Sequence, residues 1–162
     1  MALRVIALSA CLVFLLSLTL VTSDECYYLV SVQTGDRADA GTDATISLKL
    51  FNSSGGSITV PNLEDWGLME SGHDYFERGN LDLFGHSAPC IDVCGITVTS
   101  DNSGNKPGWY LDSVEVIVSG SISKKEAFPV NQWLALDEYP YSLSATVDLC
   151  SFISLKSTLS SV

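Results

Sequence analysis

From residue 26 onward, apolar and polar residues alternate in short runs separated by turn-forming residues. In residues 26–33, Tyr28, Val30 and Val32 share one face and Tyr27, Leu29 and Ser31 the other, the period of a strand. Residues 43–51 repeat the pattern with Ile46, Leu48 and Leu50. The turn-forming run Asn52-Ser53-Ser54-Gly55-Gly56 leads to a short strand at 57–60, stopped by Pro61. Leu81 and Leu83 alternate with Asn80 and Asp82, which predicts a half-buried strand after Gly79 with the leucines inward. Further strands are expected at 95–99 (Ile96 and Val98 inward), 109–118 (Val114, Val116 and Val118 on one face), 124–136 and 141–149. Pro129 suits an edge strand, because proline cannot donate to the ladder. Residues 63–72 carry Trp66, Leu68 and Met69 with no clear period and read as a loop, as do 85–92 and 101–108. About eight short strands without a heptad, a long amphipathic helix or a repeat predict an all-β, eight-stranded antiparallel sandwich.

Four stretches carry a family resemblance. Tyr75-Phe76-Glu77-Arg78-Gly79 resembles the "FERG" signature of PLAT domains, the β-sandwich modules of lipoxygenases, lipases and polycystins. Ala40-Gly41-Thr42-Asp43 is similar to the family's "AGTD" turn, residues 108–116 to its "GWYLDYVEV" strand, and residues 128–134 to its closing "F-x-V-x-x-W-L" strand. The four occur in the family's order and span most of the chain beyond the first two dozen residues. The likeness extends to short secreted plant proteins of one such domain, the plant-stress subgroup. The resemblance implies a non-catalytic module that binds a lipid or protein surface, in the endoplasmic reticulum or outside the cell, during stress.

The N-terminal stretch fits that compartment. Arg4 precedes an apolar run from Val5 to Val21, and small residues lead into acidic sequence at Asp24. That is the pattern of a secretory signal peptide over residues 1–23, against the rival reading of a membrane anchor. The domain is expected over 24–150, and the serine-rich residues 151–162 as a flexible tail. The net charge of −11 becomes one unit more negative without Arg4. Such acidity opposes phosphate backbones and unaided binding to anionic lipid, so nucleic acid is excluded as a partner. It remains compatible with divalent cations and basic proteins.

Cys11 falls in the signal peptide, and Cys26, Cys90, Cys94 and Cys150 remain. An even count in an oxidising compartment implies two disulfides with three possible connectivities. The expected pairing is Cys90–Cys94, closing a short loop, with Cys26–Cys150 tying the first strand to the last. Closely spaced cysteine pairs at both ends, which zinc would need, are missing.

No Gly-x-Ser-x-Gly elbow or phosphate-binding glycine loop occurs. His73 and His86 are expected as exposed loop residues flanking the central strand. Neighbouring carboxylates such as Asp137-Glu138 point to opposite sides of an extended chain and cannot flank one bond. The expectation is therefore no enzyme activity. Calcium is the best specific chemistry, because it takes oxygens from adaptable loops. Residues 36–43 offer Asp36, Asp39, Thr42 and Asp43. In calcium-binding PLAT domains, the turn resembling Gly41-Thr42-Asp43 and the residue just before "FERG" supply ligands; Asp74 sits near that second position. Asp101, Asn102 and Asn105 occupy a third ligand-bearing loop, but Lys106-Pro107-Gly108 departs from the acidic pattern of some members. The expected ligands are Asp39, Gly41, Thr42, Asp43 and Asp74, and the expected affinity is weak, roughly 10⁻⁴ to 10⁻³ M. The rival reading has Asp43 capping a turn and Asp74 paired with Arg78 or solvent.

Glu77 and Arg78 are expected to be architectural, an ion pair with a packed arginine stem. Trp109 and Trp133 lie in strand signatures and are expected in the core. Trp66 with Leu68 and Met69 is expected to form a membrane- or partner-facing tip, against the alternative of a tryptophan folded over the end of the core. Asn52-Ser53-Ser54 is an N-glycosylation sequon on a turn.

Overall fold

The structure, a computed structural model, describes residues 24–151. The expected signal peptide, and all of the expected tail but Ser151, lie outside the described residues. Eight strands form two antiparallel four-stranded sheets, as the alternation predicts. The strands are β1 (Glu25–Thr34), β2 (Ile46–Phe51), β3 (Ser57–Val60), β4 (Leu81–Pro89), β5 (Gly95–Ser100), β6 (Trp109–Ser119), β7 (Lys124–Leu134) and β8 (Ser144–Asp148). One sheet runs β4-β1-β6-β7 and the other β3-β2-β5-β8. A 3₁₀ turn at Leu63–Trp66 gives the loop after β3 its only regular element.

The inner faces bury the residues that the period picks out. Tyr28, Val30 and Val32 of β1 lie with Val114, Val116 and Val118 of β6 against Ile46, Leu48 and Leu50 of β2 and Ile96 and Val98 of β5. Each such side chain contributes about 1.5–3 kcal/mol on leaving water. β7 is an edge strand, consistent with Pro129. Its register with β6 slips between Leu111 and Ser113, so Val130 and Asn131 bulge out.

The central strand has the opposite phase to the expected one. Asp82 and Phe84 face inward and are fully buried, while Leu81 is 54% exposed and Leu83 half-buried. Asp82 shares its parity with Phe84 and Ala88, both buried, and the larger aromatic decides which face turns in. The strand also runs on to Pro89, so His86 lies in β4 rather than in a loop. Trp109 is buried as expected, but Trp133 lies half-buried on the outer side of β7, with its ring edge-on to Tyr110.

The disulfides are Cys26–Cys90 and Cys94–Cys150, not the expected pairs. β1 and β4 are neighbours, with Glu25 opposite Pro89, so Cys90 emerges beside Cys26. β5 and β8 are neighbours in the other sheet, with Gly95 opposite Asp148, so Cys94 meets Cys150. Cys26–Cys150 would have to cross between sheets. Each observed bond joins adjacent strands of a single sheet at the same end of the sandwich. At that end Tyr28 Oη donates to Pro89 O at 2.8 Å and accepts from Ile91 N at 2.9 Å. Burial there pushes the Tyr28 phenol above its ordinary pKa.

Candidate functional site

At the opposite end, the loops after β1, before β4 and after β5 converge. Backbone hydrogen bonds bring them together: Thr42 N donates to Phe76 O, Gly79 N to Gly35 O, and Asp101 N to Thr45 O. Gln33 Nε2 clamps the base of the turn by donating to the carbonyls of Thr34, Gly79 and Asn80. Gly41 permits a close approach between two of these loops. A Cβ there would lie 3.0 Å from Arg78 N and 3.1 Å from a Glu77 carboxylate oxygen.

Asp82 organises the turn from beneath. Its Oδ2 accepts from Phe76 N at 2.7 Å, and its Oδ1 lies 2.6 Å from His73 Nε2. Phe76 has φ of 61°, a strained conformation for a bulky residue. The buried carboxylate, the stacking of Phe76 on Phe84 and its edge-on contact with Trp109 hold it there. His73 is therefore not a free exposed residue; His86 is exposed and stacks on Trp66 at 5.0 Å. Trp109 is tied to β1 by donating from Nε1 to Thr34 Oγ1 at 2.9 Å.

Above this base, Asp43, Asp74 and Glu77 place one carboxylate oxygen each within 4.8 Å of one another. Asp43 and Asp74 were expected here. The sequence reads Glu77 as architecture, yet it completes the cluster. An opening of about 320 Å³ beside it is lined by Asp39, Gly41, Thr42, Asp43, Glu77, Arg78, Asn105 and Lys106. Its two cations are each already paired with a carboxylate. Arg78 Nε donates to Asp36 Oδ1 at 2.7 Å, and Lys106 Nζ to Asp39 Oδ1 at 2.7 Å. That hydrogen bond holds the Asp39 carboxyl below its ordinary range and raises the Lys106 ammonium in return.

Several expectations are thereby revised. Arg78 does find a carboxylate, but it is Asp36 rather than Asp74 or Glu77, and the pair is exposed rather than packed. Asp39 is occupied by Lys106, the residue that departs from the acidic pattern. The Thr42 hydroxyl is buried; it donates to Pro107 O and accepts from Ala44 N, so it secures the turn rather than offering a ligand. Asp101 accepts from Thr45 N and Ser103 N, and its hydrogen bonds, that of Ser103 foremost, hold its carboxyl below the ordinary range. Trp66 is buried and forms no tip; Leu68 remains exposed and Met69 is half-buried. Asn52 Oδ1 accepts from Ser54 N, Ser54 Oγ and Gly56 N within the β2–β3 turn.

An all-oxygen set of three carboxylates on adjoining loops fits a hard divalent cation such as calcium, which binds oxygen and adapts to irregular geometry. Asp43, Asp74 and Glu77 would hold it, and the ion would cancel their mutual repulsion.

Comparison with known proteins is consistent with this layout. Residues 28–144 match the PLAT/LH2 domain. PLAT domain-containing protein 2 of Arabidopsis thaliana is 43% identical over 143 residues, 85% of this chain and 78% of that protein. Among solved structures, coral 8R-lipoxygenase, described as calcium-activated through a C2-like domain, superposes with a TM-score of 0.57 at 26% identity. That match covers 75% of this chain and 16% of the lipoxygenase chain. A calcium-dependent 11R-lipoxygenase gives a TM-score of 0.53 at 25% identity, over 76% of this chain and 17% of the other.

Proposed function

The chain belongs to the PLAT/LH2 domain family, and from that premise we propose that it is a non-catalytic module of the secretory pathway that binds a lipid or protein surface in a plant stress response. Calcium is the expected cofactor, bound weakly at the loop end. The carrying observation is the meeting of Asp43, Asp74 and Glu77, from two loops, with both neighbouring cations already paired. Like charges held this close repel, and the whole chain is acidic. A divalent ion turns that end from repelling an anionic surface to tolerating one.

Apolar contact is then supplied by Leu81 rather than Trp66. Leu81 is exposed and stands two residues beyond Gly79, directly after the acidic turn. Secretion accords with two disulfides and with the apolar N-terminal run. The Asn52 sequon sits on a surface hairpin and is the proposed glycan site.

Sedimentation with phosphatidylserine-containing liposomes tests the reading. Binding is expected in millimolar calcium, with loss in chelator and in Asp43→Asn. Equal partition with and without calcium, or none in either, removes the calcium-gated lipid reading. Calcium-dependent capture of a protein partner without liposome binding assigns the surface to protein.

A further inference from the structure

A second site lies beyond the acidic cluster, along edge strand β7 and the loop that follows it. Two concavities of about 300 and 570 Å³ share Trp133 and Glu138 as common lining. Trp133 is a fixed platform, because the Tyr110 ring meets it edge-on at 5.3 Å. Tyr110 is itself fixed from its other neighbour: the Arg37 guanidinium lies 3.8 Å from its ring centre and donates to its hydroxyl at 2.8 Å. Next along the groove stand Tyr139, 79% exposed, and Tyr141, 63% exposed, in edge-to-face contact. Their loop is pinned at its base by Ala135 N donating to Ser142 O and by Tyr141 N donating to Glu138 O.

Two features equip this groove for a ligand. The first is backbone strain on both sides. Asn131, in the β7 bulge, has φ of 53°, and Tyr141 has φ of 62°, a costly conformation for an aromatic residue. The second is unspent polarity. Among the described residues, the side chains of Asn131, Gln132, Asp137 and Glu138 make no hydrogen bond to protein. The Trp133 indole N–H has no protein acceptor either, and it is not sealed from solvent.

We propose that this groove binds a neutral oligosaccharide of pyranose rings with equatorial hydroxyls, stacked on Trp133. Such a ring presents C–H groups on its flat face, which suit the negative face of an indole. Its edge carries hydroxyls that both donate and accept, and so can satisfy the two carboxylates, the two amides and the indole N–H together. A proline-rich peptide also favours aromatic grooves, but its tertiary amides offer only acceptors, which leaves Asp137 and Glu138 without donors. Those carboxylates and the acidic chain disfavour anionic sugars. The openness of the groove at both sides of Trp133 suits a chain rather than a single sugar.

Titration calorimetry and tryptophan fluorescence on the secreted, disulfide-bonded protein test the proposal. Chelator is present throughout, so that the result is independent of the calcium site. Cellohexaose and xylohexaose are the neutral probes, with hexagalacturonate as the anionic one and decaproline as the peptide. At least one neutral hexaose is expected to bind at low millimolar concentration or better and to change tryptophan emission, a change absent in Trp133→Ala, with hexagalacturonate weaker. Tyr139→Ala, at a 79% exposed position, is expected to weaken binding about tenfold, and Trp133→Ala to abolish it, with unfolding curves confirming that both variants are folded. Glu138→Gln supplies a polar control that does not touch the platform, and it weakens binding of the same probe. The proposal falls if no neutral hexaose binds, if binding survives both aromatic substitutions in folded protein, or if decaproline alone is held.

Discussion

The two ends of this sandwich are built on opposite principles. At one end Cys26–Cys90 and Cys94–Cys150 join neighbouring strands, and buried Tyr28 satisfies Pro89 O and Ile91 N from its single hydroxyl. At the other end no covalent bond crosses between loops among the described residues. Loops 35–45, 72–80 and 101–108 are held by backbone hydrogen bonds, by Gln33 and by the buried Asp82 carboxylate. They carry Asp43, Asp74 and Glu77 close together, an arrangement that costs stability in the free protein. The contrast teaches that covalent cross-links and repelling charge are separated along one axis. A stapled end allows the other to keep repelling charges and strained turns.

Breaking the stapled end has the largest effect. The bonds close loops with sequence separations of 64 and 56 residues. Removing either, as in the double variant Cys94→Ala/Cys150→Ala, is expected to lower stability by about 4 kcal/mol in the chain-entropy account. Denaturant unfolding measures the loss. A loss under 1 kcal/mol would mean that the loop end, not the staples, carries the fold.

Asp82→Ala comes next. It strands the buried Phe76 N–H and removes the partner of His73, for an expected loss of about 2–3 kcal/mol. Calcium affinity falls with it, because Glu77 is held by the turn that Asp82 organises. Unfolding and calcium titration of the same variant measure both. A variant as stable as the parent would deny Asp82 its organising role.

The calcium effect is smaller. At about ten times its dissociation constant, an ion bound only by the folded state contributes about 1.4 kcal/mol, read as a rise in melting temperature over chelator. Asp43→Asn abolishes that rise and, in chelator, melts slightly above the parent because one repelling charge is gone. A parent protein indifferent to calcium would make the loop end a metal-free surface.

Arg78→Ala has the smallest effect. The Arg78–Asp36 pair is exposed on both sides, so its loss is expected to cost no more than about 1 kcal/mol. A loss comparable to that of Asp82→Ala would restore the architectural role that the sequence suggests.

Much of the fold is legible in the sequence because it is local. Alternation in β1, β2, β5 and β6 reports which side chains share a face, and all four strands bury the residues so marked. Pro129 marks an edge strand because a missing N–H is a local fact. The four family motifs carry Asp43 and Asp74 to loops, and the four cysteines beyond residue 23 imply two bonds.

What only the tertiary structure decided is which elements are neighbours. Cysteine pairing depends on β1 lying beside β4 and β5 beside β8, a property of sheet order that no stretch of chain carries. The phase of β4 turned on Phe84 winning the interior over Leu81 and Leu83, which makes Asp82 a buried anchor instead of a surface residue. Glu77 reads as half of an ion pair until the turn carries it to Asp43, while Arg78 swings to Asp36. Trp133 sits in a strand motif that looks interior, but β7 is an edge strand with a bulge, and its ring is turned to the outer groove. Alternation along a strand specifies two faces; only packing against the second sheet determines which face is inside and what stands opposite it.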